Sequence, residues 1–364
     1  MTARVIGTLP TVDEVETRVL RIPTDAPEAD GTAAWDSTTL VVVLLRAGGT
    51  TGLGYTYSSA AAAVVIDEEL APALRGRSLT DLGAVVADLE HALRNPGRPG
   101  IGACALSAVD VALWDARARA LGVPLADLLG RVRASAPVYG SGGFTTYDDE
   151  RLHDQLAGWA RDGCRWVKLK IGESWGTRVE RDLHRVGIAR AAVGPGVGVF
   201  VDANGAYGVA QALRVDRAMR AFDVTWFEEP VSSDYPDQLA AVRAGATADI
   251  AAGEYVYRPS DAVALLGSVD CLQLDVTRCG GYSGWLQLSA LAAAHGVPVS
   301  AHCAPQLAAH AGCATRGFRH LEYFHDHARL EKQVFAGTLP LVGGALTPDR
   351  RPGHGLSLRD SATV

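Results

Sequence analysis

Several motifs that would assign this 364-residue chain to other classes of protein are missing. Its six cysteines form no CxxC pair, which argues against a zinc or dithiol redox site of that type. No GxGxxG sequence follows an early strand pattern, so the usual signature of a dinucleotide-binding domain is absent. The apolar run LVVVLL at 40–45 is too short to cross a membrane and instead indicates a β-strand.

Positive charge is also scarce, and this limits the classes of partner. The formal net charge is −7, which argues against a surface for nucleic acid or for an anionic membrane. The N-terminal stretch soon includes acids and has no long apolar run, so we expect no signal peptide. A chain of this length does not need disulfides, and we therefore expect reduced thiols and a cytoplasmic protein.

The secondary-structure pattern changes near Pro137. Before it, STTLVVVLLRAGGTTGLGYTY predicts a β-hairpin, and the helical pattern that follows includes LSAVDVALWDARARALG. Strands followed by helices indicate a compact α+β unit.

After this point, β-rich segments alternate with helical ones. Because alternating strands and helices produce parallel strands, eight such units predict a closed (β/α)8-type barrel. An open, doubly wound sheet is the structural alternative, and the missing phosphate-binding motif counts against it. The eight segments are PVYGS, RWVKLK, VGVFVDAN, VTWFEEP, DIAAGE, DCLQLDV, VPVSAH and HLEYF.

Acidic residues end three consecutive strands of the predicted barrel. Active sites of such barrels lie at the C-terminal ends of the strands, so we expect these side chains to gather at one mouth. A single acid at a strand end could be a helix cap or a surface ion pair, but three together suit a hard cation such as Mg²⁺. VFVDAN ends in Asp202 and Asn204, TWFEEP in Glu228 and Glu229, and IAAGE in Glu254.

Two lysines lie on one face of the strand before these acids. In WVKLKIG, Lys168 and Lys170 are two residues apart and therefore point to the same side. We expect the charge of Lys168 to lower the pKa of Lys170, so that Lys170 acts as a base near neutral pH. The alternative is a pair of ion pairs with barrel carboxylates.

Two neighbouring strands on the other side end in Asp275 and His302. An aspartate bonded to one imidazole nitrogen would orient the ring and raise its basicity, so this pair predicts a second base. A metal, a lysine and a His–Asp pair together predict removal of a proton α to a carboxylate, with Mg²⁺ stabilising an enediolate. The other base then returns a proton to the opposite face or helps to expel a β-hydroxyl.

The ordered set of motifs resembles the enolase superfamily and, within it, the mandelate racemase subgroup. The resemblance extends over nearly the whole chain. It is carried by ALWDARARALGVPLADLLG, VKLK, VDAN, FEEP, AAGE, LDVTRCGG, SAH and HLEYF.

This resemblance implies a modified (β/α)7β TIM-type barrel with an α+β capping domain. In this chain the implied division is a cap at 1–133, a barrel at 134–327 and a segment at 328–364 that returns to the cap. The resemblance also implies Mg²⁺ as cofactor, a small-molecule carboxylate as substrate and a homo-oligomer with an unspecified number of subunits.

The resemblance further implies three groups of site residues. Glu322 is the implied acid that hydrogen-bonds the substrate carboxylate, and Lys170 is the implied base of the KxK motif. The catalytic group is Lys168, Lys170, Asp275, His302 and Glu322; the metal ligands are Asp202, Glu228 and Glu254; the substrate and secondary contacts are Ser141, Asn204, Glu229 and Trp35.

The reaction stays open between two hypotheses. Dehydration of a hydroxy-acid, above all an acid sugar, is the leading one; racemisation or epimerisation of an α-substituted carboxylate by Lys170 and His302 is the alternative. The muconate cycloisomerase and dipeptide epimerase branches fit less well, because Arg278 in LDVTRCGG is not at the position of their second lysine. A catalytically inactive binding protein and a Schiff-base aldolase are further alternatives, and the complete set of acids counts against both.

Substrate choice is implied to depend on two segments of the cap, RIPTDAPEADGTAAW (21–35) and YTYSSA (55–60). The first contains only Arg21 as a cation, so it offers no evident clamp for a second acid group. Its acids suit hydroxyls or a cationic amine. These acids are Asp25, Glu28 and Asp30, and Trp35 ends the segment.

Overall fold

The computed structural model describes residues 8–360. Its N-terminal part contains a three-stranded antiparallel sheet, in the order β1 (Val12–Ala29), β2 (Ala34–Ala47) and β3 (Thr50–Tyr57). The hairpin of β2 and β3 confirms the prediction, whereas β1 was not predicted. Much of the expected 21–35 loop is in fact the end of the β1–β2 ladder, with a register shift between Pro23 and Glu28.

A group of helices covers this sheet. The longest one approaches β3 closely because Gly52 and Gly54 have no side chains; a Cβ on Gly54 would lie 2.0 Å from the Ala108 carbonyl oxygen. The helices are α1 (Ala61–Val65), a π-helical turn (Ile66–Leu70), α2 (Ala71–Leu74), α3 (Leu82–Ala92), α4 (Ile101–Leu121) and α5 (Leu125–Leu128).

Eight parallel strands form the barrel, and all eight match the predicted segments. The sheet closes because its last strand pairs with its first, with Leu321 opposite Val138. The strands are β4 (Ala136–Gly142), β5 (Trp166–Lys170), β6 (Gly198–Asp202), β7 (Val224–Glu228), β8 (Asp249–Ala252), β9 (Cys271–Leu274), β10 (Val299–Ala301) and β11 (Phe318–Phe324).

Helices follow these strands and shield the outside of the barrel. Among them, α6 begins with a side-chain cap, because Asp148 accepts a hydrogen bond from the backbone N–H of Arg151. The helices are α6 (Asp149–Arg161), α7 (Glu173–Gly176), α8 (Val179–Val193), α9 (Val209–Met219) with a 3₁₀ turn (Arg220–Phe222), α10 (Pro236–Arg243), α11 (Pro259–Leu265), α12 (Gly281–Ala294), α13 (Pro305–Ala314) and α14 (His325–Val334).

The interior of the barrel is filled in layers, as the period of two along each strand requires. Phe200 and Trp226 stack at 5.3 Å near one end, and His320 packs against both rings. Farther along β5, Lys168 and Lys170 are 0% and 5% exposed. The aromatic layer therefore seals the barrel below the two lysines.

The C-terminal segment contacts both the barrel and the N-terminal sheet. The strand β12 (Phe335–Ala336) pairs with β14 (Ser357–Leu358), and β13 (Ala345–Leu346) pairs with β4. The backbone N–H of His354 donates to Asp115 of α4 at 2.9 Å. None of the helices within residues 8–360 has the length and apolar character needed to span a bilayer.

Candidate active site

The predicted acids and lysines come together at the C-terminal mouth of the barrel. Lys170 is paired in register with Asp202, and Asp202 with Glu228, so the ends of three neighbouring strands lie side by side. All three side chains are buried. The βα units bring them to one mouth because every strand runs in the same direction.

Lys168 binds two carboxylates at once. Its Nζ lies 2.7 Å from Glu228 Oε2 and 2.8 Å from Glu322 Oε1, and the Asp202 carboxylate is 3.6 Å away. Burial lowers its pKa, but the surrounding carboxylates outweigh burial and hold the pKa well above its usual range. Lys168 is therefore a fixed positive charge in the floor of the site.

Lys170 also makes an ion pair, and this corrects one prediction. Its Nζ lies 2.5 Å from Asp202 Oδ2. Burial lowers the pKa of Lys170 and the charge of Lys168 does the same, but the attraction of Asp202 raises the pKa above its ordinary value. The expected net lowering of the Lys170 pKa is wrong for the contacts present here, because an aspartate lies closer to the amine than the sequence pattern could indicate.

The predicted His–Asp pair is formed. His302 Nδ1 lies 2.8 Å from Asp275 Oδ2, and Thr277 holds the other oxygen of Asp275 through its backbone N–H and its hydroxyl, each at 2.7 Å. His302 Nε2 points toward Glu254 Oε2 at 3.3 Å. Burial lowers the pKa of His302, while Glu254 and Asp275 raise it, and the net pKa is raised.

Glu322 lies between the lysines and the histidine. Ser141 donates a hydrogen bond to Glu322 Oε1 at 2.6 Å, and the backbone N–H of Cys303 donates to Oε2 at 3.0 Å. Burial raises the pKa of Glu322, but Lys168 and His302 lower it by more, so the pKa lies well below its usual range. A carboxylate held in this way stays ionised.

The structure does not gather the three predicted metal ligands as tightly as a bound cation would. Among residues 8–360, Asp202, Glu228 and Glu254 are not one of the groups whose ligand atoms all lie within 4.8 Å. The contacts explain this: each carboxylate is drawn toward a different cation. Glu254 reaches Arg278 at 3.0 Å, Asp202 reaches Lys170 and Glu228 reaches Lys168.

The chemistry of the donor set nevertheless fits a divalent cation. Asn204 Oδ1 and Glu229 Oε1 are buried without a hydrogen-bond partner among the described residues. Burial and, after it, the charge of Asp202 raise the pKa of Glu228 to about 8. Six buried acids, Asp202, Glu228, Glu229, Glu254, Asp275 and Glu322, face Lys168, Lys170, Arg278 and His302.

Backbone strain also concentrates at this mouth. Asn204, Glu229, Cys303 and Ala304 follow strand ends and have φ between +36° and +47°. Positive φ is uncommon for residues other than glycine and clusters at functional sites.

Two residues of the site were missed. Cys303 Sγ lies 3.3 Å from His302 Nε2, and Arg278 bridges Glu254 and Asp275 at 3.0 and 3.5 Å. For Cys303, the available signal was its position directly after His302. For Arg278, the sequence showed only that it does not occupy the position of a second lysine.

The cap closes the site from above. Trp35 donates a hydrogen bond from Nε1 to Glu28 at 2.8 Å and packs edge-on against Phe144. Together with Asp30 and Tyr57, it lines a cavity of about 320 Å³ that also contains Lys170. Residues of both predicted cap segments thus reach the cavity.

Comparison with known proteins agrees with this geometry. The family model described as "Enolase C-terminal domain-like" matches residues 151–362. The model "Mandelate racemase / muconate lactonizing enzyme, N-terminal domain" matches residues 14–130. The chain therefore belongs to the mandelate racemase/muconate lactonizing enzyme family of the enolase superfamily, which confirms the resemblance and the barrel-plus-cap architecture.

Individual relatives extend over most of the chain. It is 30% identical to the D-galactarolactone cycloisomerase of Agrobacterium fabrum, over 97% of this chain and 98% of that protein. It is 31% identical to the L-talarate/galactarate dehydratase of Salmonella typhimurium, over 85% of this chain and 78% of that protein.

Solved structures show the same architecture. A mandelate racemase/muconate lactonizing enzyme-like protein from Rubrobacter xylanophilus is 48% identical, with a TM-score of 0.94 over 97% of this chain and 98% of that one. The Salmonella dehydratase, solved with Mg and L-lyxarohydroxamate, is 28% identical, with a TM-score of 0.90 over 100% of this chain and 94% of that one.

Proposed function

We propose that this protein removes the α-proton of a carboxylate substrate with the help of Mg²⁺, and that the reaction is dehydration of an acid sugar. The observation that carries the proposal is the position of Lys170 and His302, two titratable groups from non-adjacent strands that line one cavity. A proton donor and a proton acceptor at one cavity are what β-elimination of water requires. The dehydratase activity named for the Salmonella relative supports this choice.

Asp202, Glu228 and Glu254 are the residues that would hold Mg²⁺. When bound there, Mg²⁺ supplies positive charge next to the substrate carboxylate and so stabilises the enediolate. Carboxylate oxygens are the ligands that Mg²⁺ prefers, and the Salmonella relative was solved with this metal.

Lys170 is proposed as the base that takes the α-proton. An amine must be neutral to accept a proton, and the close Asp202 carboxylate favours the charged form. A cation held by Asp202 would weaken the attraction of that carboxylate for the amine and would lower the pKa of Lys170. Lys168 remains paired with Glu228 and Glu322 and keeps positive charge below the substrate.

His302 is proposed as the acid that protonates the leaving β-hydroxyl. His302 donates from Nδ1 to Asp275, and the raised pKa of His302 favours the imidazolium, whose second proton on Nε2 is the one delivered. Glu322, fixed by Ser141 and by the Cys303 backbone, is proposed to contact the substrate carboxylate, with Asn204 and Glu229 beside the metal. Trp35 would form part of the substrate pocket.

Racemisation or epimerisation is the second candidate, because the same two groups could exchange protons on opposite faces of the α-carbon. Racemisation and dehydration differ only in whether the substrate has a leaving group on the β-carbon. The two reactions separate in heavy water, since dehydration removes one water whereas racemisation incorporates one deuterium.

The test is to incubate the protein with acid sugars, hydroxy-acids and amino-acid derivatives in heavy water with Mg²⁺, and to analyse the products by mass spectrometry. We expect a hit that loses water, and we expect Lys170→Ala and His302→Asn to abolish this loss. A hit that gains deuterium without losing water would favour the second candidate. Full activity in both variants would refute the proposed bases.

The proposed division of the chain is 1–133, 134–327 and 328–364, with the last part returning to the cap. Hydrogen bonds from His354 to Asp115 and to the Leu53 carbonyl group support that return. A cytoplasmic location is proposed because all six cysteines are free. A homo-oligomer is proposed from the family resemblance alone.

A further inference from the structure

Residues of the cap form much of the lining of the cavity that contains Lys170. Its volume of about 320 Å³ is near the lower limit of about 300 Å³ for ligand pockets, so it suits a small molecule. We call the part of the lining that lies outside the catalytic strand ends the distal wall. It consists of Asp30, Trp35, Thr38, Thr39, Tyr57 and His327.

The positive charges of the cavity lie at its reacting end. Among the described residues that line it, the cationic side chains are Lys170, Arg278 and the titratable His302. Lys170 and His302 are the groups proposed to react with the substrate, and Arg278 lies 3.5 Å from Asp275, which is not a proposed metal ligand. Each cation of the lining thus has another role, and a second carboxylate on the substrate would compete with that role for its counter-charge.

The distal wall carries a negative charge instead. Asp30 lines the cavity, and its Oδ1 accepts hydrogen bonds from the backbone N–H groups of Thr32 at 2.6 Å and Ala33 at 2.7 Å. These bonds fix the turn between β1 and β2 and hold the carboxylate at the cavity. Like charges placed together disfavour a partner, so Asp30 opposes a second acid group.

His327 contributes a hydrogen-bond donor without a charge. Its ring stacks on Tyr57 with centroids 3.4 Å apart, and the backbone N–H of Ala304 donates to Nδ1 at 3.4 Å. Because Nδ1 accepts this bond, the ring proton is on Nε2. Burial and the charge of His302 lower the pKa of His327 to about 3, which agrees with a neutral ring.

Thr38 contributes an acceptor. Its hydroxyl donates to Asp326 Oδ2 at 2.5 Å, and Asp326 is completely buried and held by Arg329 at 2.6 Å. With its proton used in this bond, the Thr38 oxygen can only accept further hydrogen bonds. A substrate hydroxyl can donate to it, whereas an ionised carboxylate cannot.

From this wall we propose that the substrate has a single carboxylate and an uncharged, hydroxylated chain. In chemical terms it is an aldonate, rather than an aldarate of the same length or an amino-acid derivative. The inference rests on the proposed function and adds to it the residues that choose the substrate: Asp30, Thr38 and His327.

The test compares kcat/KM for aldonates and aldarates of matched length and configuration, with Mg²⁺ present. We expect the aldonate to be preferred at least about 100-fold, the scale at which unpaired or repelling groups discriminate. Asp30→Asn keeps the acceptor oxygen of the turn and removes the charge, so we expect it to reduce the preference about tenfold by improving the aldarate. Asp36→Asn is the matched control, because Asp36 belongs to the same hairpin, is 88% exposed and lies outside the cavity. This variant should prefer the aldonate over the aldarate as strongly as the wild type does.

Binding provides a second measurement that does not depend on turnover. Calorimetry with the Lys170→Met protein and Mg²⁺ should show tighter binding of the aldonate, and Asp30→Asn in that background should narrow the difference. Equal or better turnover of aldarates, or of an ammonium-bearing substrate, would overturn this inference while the proposed function stands. If neither class of acid sugar reacts, the proposed function fails and this inference fails with it.

Discussion

The buried ionisable residues show how a single contact changes the chemistry of a side chain. Lys168 and Lys170 occupy equivalent positions on one strand face, yet Lys168 contacts Glu228 and Glu322, whereas Lys170 contacts Asp202. One lysine is therefore locked in a network, and the other depends on a single carboxylate that is itself a proposed metal ligand. This difference in partners, rather than the repulsion between the lysines, distinguishes the two ammonium groups.

Asp275→Asn tests the orientation of His302. An asparagine amide can donate to Nδ1, which would place the ring proton on Nε2 and disfavour the doubly protonated imidazolium that Asp275 stabilises. We expect kcat to fall by about 10²–10⁴-fold, the usual range for loss of general acid–base catalysis, with little change in thermal stability. Asp270→Asn is the control and should retain activity, because Asp270 directly precedes β9 whereas Asp275 directly follows it. Equal kcat in both variants would contradict the role of Asp275.

Glu331 makes a prediction about stability and pH. It is completely buried, Tyr55 donates to its Oε1 at 2.6 Å, and burial raises its pKa to about 8 from an ordinary value of 4.5. The folded state therefore retains a proton that the unfolded state loses, and the free energy of unfolding should fall as pH rises from about 4.5 to about 8.

Urea denaturation of the wild type and of Glu331→Gln at several pH values measures this effect. We expect a smaller decline for the variant, although not a flat profile, because burial also raises the pKa of Glu28 to about 8. An identical slope for both proteins would show that Glu331 does not hold the proton.

At the level of secondary-structure elements, α4 of the cap supports the loop that follows Asp275. Ser107 accepts a hydrogen bond from the Gly280 N–H at 2.9 Å, and Asp110 accepts one from the Ser283 N–H at 3.0 Å. Gly281, between them, has φ +68°, and a Cβ there would lie 2.3 Å from Asp110 Oδ1. The helix α4 of the cap and the loop that follows Asp275 are thus in direct contact.

Gly281→Ala should disturb this contact and the site together. We expect a loss of about 1–3 kcal/mol in the free energy of unfolding from overpacking, together with a reduced kcat. Gly296→Ala is the matched control, since Gly296 has φ +70° but open space around it. If both variants lost the same stability and activity, backbone strain alone would account for the effect and the helix contact would be irrelevant.

For the whole molecule, excess negative charge in the core is the property that a metal would relieve. A ligand that binds only the folded state stabilises it by about 2.7 kcal/mol at 100 times its Kd. We therefore expect MgCl2 to raise the Tm of the wild type above its value in NaCl of equal ionic strength.

Glu228→Gln should remove this response to Mg²⁺. Asp249→Asn is the control. Asp249 is the first residue of β8 and binds Arg319, whereas the proposed metal ligands lie at or after the other ends of the strands, so this variant should keep the response to Mg²⁺. A Tm that does not respond to Mg²⁺ in the wild type would argue against the proposed metal site.

The sequence alone determined the barrel, its eight strands and the gathering of Asp202, Glu228 and His302 at one mouth. Local periodicity identifies strands, and parallel βα units place all their C-terminal ends together, so these features follow without distances. The strand β1 was missed because its alternation of buried and exposed residues is short, at Leu20 to Ile22, and no regular alternation of apolar residues continues into its end, TDAPEA.

Tertiary structure alone decided which charges pair and what forms the distal wall. The ion pair of Lys170 with Asp202, the ion pair of Arg278 with Glu254 and the hydrogen bond from Thr38 to Asp326 all join segments that are well separated in the chain. Electrostatic effects depend on separations of a few ångströms between such segments, and a local sequence pattern carries no information about those separations.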